Sequence, residues 1–234
     1  TPNIDKLSKS GMIFYNGYAS AANCAPSRAT MFSGKYHTEH GIYTVKNSDR
    51  GKRKTRKIIP IVTKSNLDLD FFVIPEMLKD LGYINGHFGK WHLGDIGFHP
   101  ENSGFDVNIG GNKHGGPGSY FAPYPYVKLE DQTKGEYLTD RIGDEVVKFI
   151  DINKENNFFA YVPFFSVHTP IQSKTDYQKK YRNKDSNEYH NRADYAGMIQ
   201  SLDENVGKII DKIDELNLSE NTLIIFTSDN GAIR

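Results

Sequence analysis

One cysteine, Cys24, opens the pentapeptide Cys24-Ala25-Pro26-Ser27-Arg28, and the other 233 of the 234 residues contain none. A single thiol cannot close an internal disulfide, and a structural zinc site needs several ligands of its kind. It is therefore either a buried inert thiol, the commoner fate of a free cysteine, or a reactive centre. Its surroundings favour the second. Proline suits the first turn of a helix, where its missing N–H costs nothing, and residues 26–34 (PSRATMFSG) read as a short helix closed by glycine. Cys24 then lies just before a helix N-terminus, whose amide dipoles favour an anion, with Arg28 about one turn along. A reactive side chain, an anion-binding helix end and a guanidinium together suit an oxyanion.

Three more segments carry groups that could process one. They are Gly89-Lys90-Trp91-His92-Leu93-Gly94, His168-Thr169-Pro170 and Ser228-Asp229-Asn230-Gly231. Each alone has an ordinary reading. Lys90 and His92 could be exposed loop residues, His168 a strand-end histidine, and Asp229-Asn230-Gly231 a turn. Asp229 and Asn230 also offer oxygens to Ca²⁺ or Mg²⁺, but two donors do not fill a site that wants about six. His37 and His40 resemble a metal pair only superficially. The basic run Lys46–Lys57 (KNSDRGKRKTRK) reads as a solvated loop, with attraction of a polyanionic substrate as the minority reading.

The elements that must position these groups follow from periodicity. Thr1-Pro2-Asn3 with Ile4 and Leu7 predicts a capped helix ending near Gly11. Residues 73–81 predict a helix closed by Gly82, and Leu138, Ile142, Val146 and Ile150 mark an amphipathic helix. A long helix runs from Tyr195 to Leu216. Strands are expected at 12–18 (MIFYNGY), 83–88 (YINGHF), 157–167 (NFFAYVPFFSV) and 222–227 (TLIIFT), the last a wholly apolar run suited to burial on both faces. Residues 94–128 form a long stretch rich in Gly, Pro and aromatics, of a kind that is usually functional or disordered. Alternating strands and helices predict an α/β fold with a mostly parallel sheet flanked by helices on both faces. In such sheets ligands bind beyond the carboxyl ends of the strands. The four expected strands run into Cys24 and Arg28, into Lys90 and His92, into His168, and into Asp229 and Asn230. Cationic and acid/base groups come from three exits and hard oxygen donors from the fourth.

The chain has length for one α/β domain, residues 1–234, and its 29 basic and 29 acidic residues cancel. No global field therefore selects nucleic acid or a membrane surface as partner, and no apolar run approaches a membrane span. Thr1 lacks the marks of a natural start, and Arg234 follows a strand-and-turn pattern directly, so a segment truncated at both ends is expected.

Cys24-Ala25-Pro26-Ser27-Arg28, followed by Ser33-Gly34-Lys35-Tyr36, resembles the Cys-x-Pro-x-Arg signature of the type I sulfatases, in the alkaline phosphatase superfamily. Thr1-Pro2-Asn3-Ile4-Asp5, Gly89-Lys90-Trp91-His92-Leu93-Gly94, Ser201-Leu202-Asp203-Glu204-Asn205-Val206-Gly207 and Phe226-Thr227-Ser228-Asp229-Asn230-Gly231 are similar to further segments of that family, in the same order. The resemblance implies an alkaline phosphatase-like fold and a sulfuric ester hydrolase. It implies that Cys24 is oxidised by a formylglycine-generating enzyme to an aldehyde that hydrates to a gem-diol. A diol oxygen attacks sulfur in line with the leaving alcohol, beside a divalent cation, usually Ca²⁺, with Mg²⁺ as the other candidate. Asp229 and Asn230, with the modified Cys24, match metal-ligand positions. Arg28 and Lys90 match residues that steady the diol and the sulfate oxygens, His92 the base that expels sulfate, and His168 the group that meets the leaving oxygen. A serine sulfate would hydrolyse slowly, whereas a hemiacetal sulfate can eliminate. The family carries an Asp pair before the position of Thr1, and a lysine and a smaller subdomain after that of Arg234. The segment alone is thus expected to lack part of its metal cage and to be inactive.

Two other readings compete: a phosphonate or phosphate ester hydrolase of the same superfamily, and a non-catalytic sulfated-glycan binding protein in which Cys24 stays a thiol. A sulfated carbohydrate is the expected substrate, with aromatics of 110–126 against the sugar and cations of 46–57 near neighbouring sulfates; a small aryl sulfate is the bland alternative. The resemblance also implies a periplasmic or secreted parent protein.

Overall fold

The computed structural model describes residues 1–49, 51–185, 187 and 191–232. Arg50, within the basic run, lies outside the described residues. Seven α-helices are described: α1 (Pro2–Ser10), α2 (Cys24–Ser33), α3 (His37–His40), α4 (Ile74–Asp80), α5 (Leu138–Ile152), α6 (Thr175–Arg182) and α7 (Ala193–Glu215). Three strands, β1 (Ile84–Phe88), β2 (Val107–Ile109) and β3 (Phe158–Tyr161), form a parallel sheet in the order β2-β1-β3.

Side chains of β3 alternate between two layers, as a pleated strand requires. Phe158 and Ala160 pack into a core with Phe88, Ile142, Val146, Phe149 and Met198, beneath α5 and α7. Phe159 and Tyr161 pack on the opposite side with Ala25, Ala29, Phe32, Trp91 and Phe105, beneath α2. The sheet is therefore parallel and covered by helices on both faces, as the alternating pattern predicts. On the α2 side the spacing Ala25, Ala29, Phe32 places one helix face against a ring cluster. Phe32 lies 5.2 Å from Trp91 and 4.9 Å from Tyr161, centroid to centroid. That packing fixes the helix whose first residue is Cys24.

Two expected strands do not form. Residues 12–18 contain no strand, and Phe14 and Tyr18 are exposed. Residues 222–227 also lack strand pairing, and Leu223 and Ile225 are exposed. An apolar run becomes a strand only where a neighbouring edge takes its hydrogen bonds, and among the described residues no edge does so for either run. β3 stops at Tyr161, short of the expected end at 167, because Pro163 cannot donate to a ladder. Residues 94–128 hold the short β2 and are largely packed. Tyr120 and Tyr124 are core residues, and the Tyr120 hydroxyl donates to the Phe165 carbonyl at 2.6 Å.

α1 is held against α7 through Asp203. Its carboxylate, nearly fully buried, accepts from the Asn3 and Ile4 backbone N–H groups at 3.2 and 2.9 Å and from Asn3 Nδ2 at 3.0 Å. It satisfies amides at the start of α1 that no helical carbonyl can reach. Asp203→Ala strands these donors, so urea unfolding should show a loss of about 2 kcal/mol or more. An unchanged midpoint would show that α1 does not depend on this carboxylate.

Candidate active site

Cys24 is the first residue of α2 rather than the residue before it, and Gly34 closes the helix in the left-handed region, its N–H bonding the Thr30 carbonyl at 2.8 Å. Lys90 follows β1 by two residues. The turn between them needs Gly89, whose φ is +124° and whose missing Cβ makes room for the Pro163 carbonyl. Lys90 N–H donates to that carbonyl at 2.8 Å. His92 adopts φ +62°, uncommon for a side-chain-bearing residue, and its N–H bonds the Asn112 carbonyl at 2.9 Å. Glycines at 115 and 116 let the 110–118 loop lie against the rings of His92 and His168.

These exits converge on the Cys24 sulfur. Burial alone would push its thiol up. Hydrogen bonds with His168 and His92, together with the charge and hydrogen bond of Lys90, outweigh burial and bring it down to about 5. The contact with Cys24 in turn raises His168 against the effect of its own burial. His168 Nδ1 donates to the Thr169 carbonyl at 2.8 Å, which leaves Nε2 as the ring's other polar atom. Lys90 is buried and has no carboxylate partner among the described residues. With a folded pKa below that of a free thiol, the thiolate stabilises the fold most above the free-thiol value of ~8.5, and this contribution shrinks as pH falls and is gone below about 5. In metal-free protein with Cys24 unconverted, iodoacetamide labelling should show a rate midpoint near pH 5, not near the ~8.5 of a free thiol. A midpoint above pH 8 would mean that the three donors do not act on the thiol.

Arg28 is buried alongside. Its Nε donates to the Trp91 carbonyl at 2.9 Å, one terminal nitrogen to the Lys90 carbonyl, and the other lies 3.5 Å from Asp229 Oδ2. The guanidinium also faces the Tyr161 ring, 5.7 Å from its centroid. Asp229 thus joins the cluster through Arg28. Asn230 beside it has a buried Oδ1 without a protein partner among the described residues, while its Nδ2 donates to the Gly231 carbonyl at 2.9 Å. A carboxylate and an orphaned amide oxygen suit a hard divalent cation. All seven predicted residues, Cys24, Arg28, Lys90, His92, His168, Asp229 and Asn230, thus fall at chain segments that meet around α2 and the exits of β1 and β3.

His87 belongs to the site but carries no motif in the sequence. It lies on β1 among the rings of Trp91, Phe105 and Tyr161, fully buried, and burial followed by the charge of Arg28 holds it down to about 3. It is a neutral wall of the site. A lone histidine inside an apolar strand was the only available signal. His40 belongs to the fold: Ile42 N–H donates to its Nδ1 at 3.1 Å, and its Nε2 lies 3.2 Å from Thr30 Oγ1.

Comparison with known proteins bears on this geometry. A family model described as Sulfatase matches residues 1–234. The chain is 32% identical over 288 residues to a Sulfatase of Formosa agariphila, covering 99% of this chain and 52% of that protein. It is 30% identical over 253 residues to the human N-acetylgalactosamine-6-sulfatase, covering 99% and 45%. Among solved structures, Ps i-CgsB in complex with k-i-k-neocarrahexaose superposes with a TM-score of 0.72 at 29% identity, covering 94% of this chain and 51% of that one. The chain spans about half the length of the curated relatives it matches.

Proposed function

Because the chain belongs to the sulfatase family, we propose that the protein hydrolyses a sulfate ester, with Cys24 as the precursor of its nucleophile. The observation that carries this reading is the Cys24 sulfur itself, an anion position served at once by Lys90, His92 and His168. A dedicated formylglycine-generating enzyme would convert Cys24; hydrated, the aldehyde supplies a nucleophilic oxygen where Sγ stands in the unconverted chain. Asp229 and Asn230 would hold a divalent cation, Ca²⁺ or Mg²⁺, that offsets negative charge beside it. Lys90 sets its ammonium against the sulfate oxygens, where charge grows during transfer. Arg28 holds the Lys90–Trp91 backbone in place and adds its own positive charge. His168 gives a proton from Nε2 to the alcohol oxygen as the S–O bond to it breaks. His92 takes a proton at the nucleophile's second oxygen as sulfate leaves.

The sulfated carbohydrate reading rests on the names of relatives, an N-acetylgalactosamine-6-sulfatase and a protein bound to k-i-k-neocarrahexaose. Of the loop aromatics, Tyr126 fits a sugar face best. It is half-exposed and stacked with His114 at 4.7 Å, whereas Tyr120 and Tyr124 are buried. A periplasmic or secreted location fits this substrate class, and among the described residues no helix is long and apolar enough to cross a membrane.

Rates of the intact protein on an aryl sulfate, an aryl phosphate and an aryl phosphonate test the reading, with peptide mass spectrometry across Cys24. Sulfate turnover should dominate, with formylglycine at position 24. A preference for phosphonate would favour the related hydrolase class, and an unmodified thiol in purified native protein without turnover would leave only binding.

A further inference from the structure

Residues 41–49 and 51–64 form two tied legs that leave the site. At their root Asn23, which precedes Cys24, donates through Nδ2 to Thr44 Oγ1 at 3.0 Å. Thr63 Oγ1 accepts the Tyr43 and Thr44 N–H groups at 2.9 and 3.4 Å. Lys64 N–H bonds the Gly41 carbonyl at 2.8 Å, and the Ser48 hydroxyl bonds the Ile61 carbonyl at 2.6 Å, so the legs are tied along their length. The tip is closed by Arg56, which pairs with Asp49 at 3.0 Å and donates to the Gly51 carbonyl at 2.9 Å, and by a 3₁₀ turn over Arg53–Thr55.

This closure leaves Lys52, Arg53, Lys54 and Lys57 exposed, with no ion pair among the described residues. Residues 46–57 carry seven cations against one carboxylate in a chain whose total charge is zero. Crowded like charges repel, and at physiological salt their field reaches only about 8 Å. Only an anion held close to the tip benefits from it, and the tip is carried on a stalk whose base is bonded to the residue before the nucleophile position. The run holds no aromatic residue, so it offers no stacking platform for nucleic-acid bases. We propose that the tip is a second anion site, which binds further sulfates of a polysulfated glycan whose scissile ester lies at Cys24. The proposal rests on the sulfatase reading for the scissile ester, but the tip's own binding is measurable without turnover.

The test uses the intact protein and a fourfold variant, Lys52→Ser, Arg53→Ser, Lys54→Ser and Lys57→Ser. Fluorescent dextran sulfate is the probe, carboxymethyl-dextran of equal charge density the control, and a small aryl monosulfate the substrate. At 0.15 M salt the variant should bind dextran sulfate about tenfold or more weakly, the combined scale of four exposed ion pairs. Its kcat/KM on the monosulfate should stay within twofold. Unchanged dextran sulfate affinity in the variant overturns the proposal, as does carboxymethyl-dextran binding as tight as dextran sulfate. If the parent protein shows no sulfate turnover while loop-dependent binding persists, the sulfatase reading fails and the anion site stands.

Discussion

Replacing Cys24 by serine in the intact protein should lower sulfate turnover by at least about 10⁴-fold, the scale expected when a nucleophile is lost. The side chain shrinks only slightly, so the helix and its aromatic bed should survive. The Ala25, Ala29 and Phe32 face, not the cysteine, holds α2 against Trp91, Phe105 and Tyr161. What disappears is the polarizable anion toward which Lys90, His92 and His168 converge. A serine hydroxyl titrates far above neutrality and is a weak nucleophile without a strong base. If the hydroxyl stays unoxidised, any sulfate it accepted would remain as a stable ester. The measurements are steady-state turnover on an aryl sulfate and thermal unfolding of both proteins. Turnover within tenfold of the parent would remove Cys24 from the chemistry, whatever its surroundings.

Arg28→Lys should have the next largest effect, about 10²- to 10³-fold in kcat, and it should also cost stability. The guanidinium reaches two backbone carbonyls and Asp229 from one planar fork, with Tyr161 against its face. An ammonium keeps the charge but cannot span those three positions. One buried carbonyl or the Asp229 carboxylate would lose its partner, at a cost of about 1–3 kcal/mol. Urea unfolding reads that cost. Comparing it with kcat separates a fold defect from a site defect, since a variant that is fully folded under assay conditions should still turn over slowly. Wild-type kcat in Arg28→Lys would show that charge alone, without the fork, suffices.

α2 was marked at its ends by Pro26 and Gly34, and periodicity identified α5 and α7 because their apolar faces are continuous in sequence and meet a single layer each. It could not distinguish a strand from an extended run, because pairing is a property of the neighbour. Residues 158–161 find β1 to pair with, while the equally apolar 222–227 find no edge among the described residues. Lys90 and His92 were legible for a related reason, since they follow β1 as His168 follows β3, and exits of a parallel sheet share one end. Cys24 and Asp229 reach the same place with no strand directly before them among the described residues. His87 was not legible, since only the packing of Trp91, Phe105 and Tyr161 turns a strand histidine into the neutral wall behind Arg28. The sequence suggests the aromatics of 110–126 as a sugar platform, but Tyr120 and Tyr124 pack inside the core. Nothing in a tyrosine-rich run says which rings a core will claim.

The Arg28 fork also governs how the site comes apart. It clamps the first turn of α2 to the carbonyls of the turn that follows β1, so neither piece can drift from the other without breaking buried, charge-assisted bonds. Cys24 and Lys90 therefore belong to one cooperative opening unit, whose hydrogen-bonded amides, that of Lys90 among them, should exchange with deuterium together and slowly. Substrate then meets a site whose ordering entropy was spent when the chain folded.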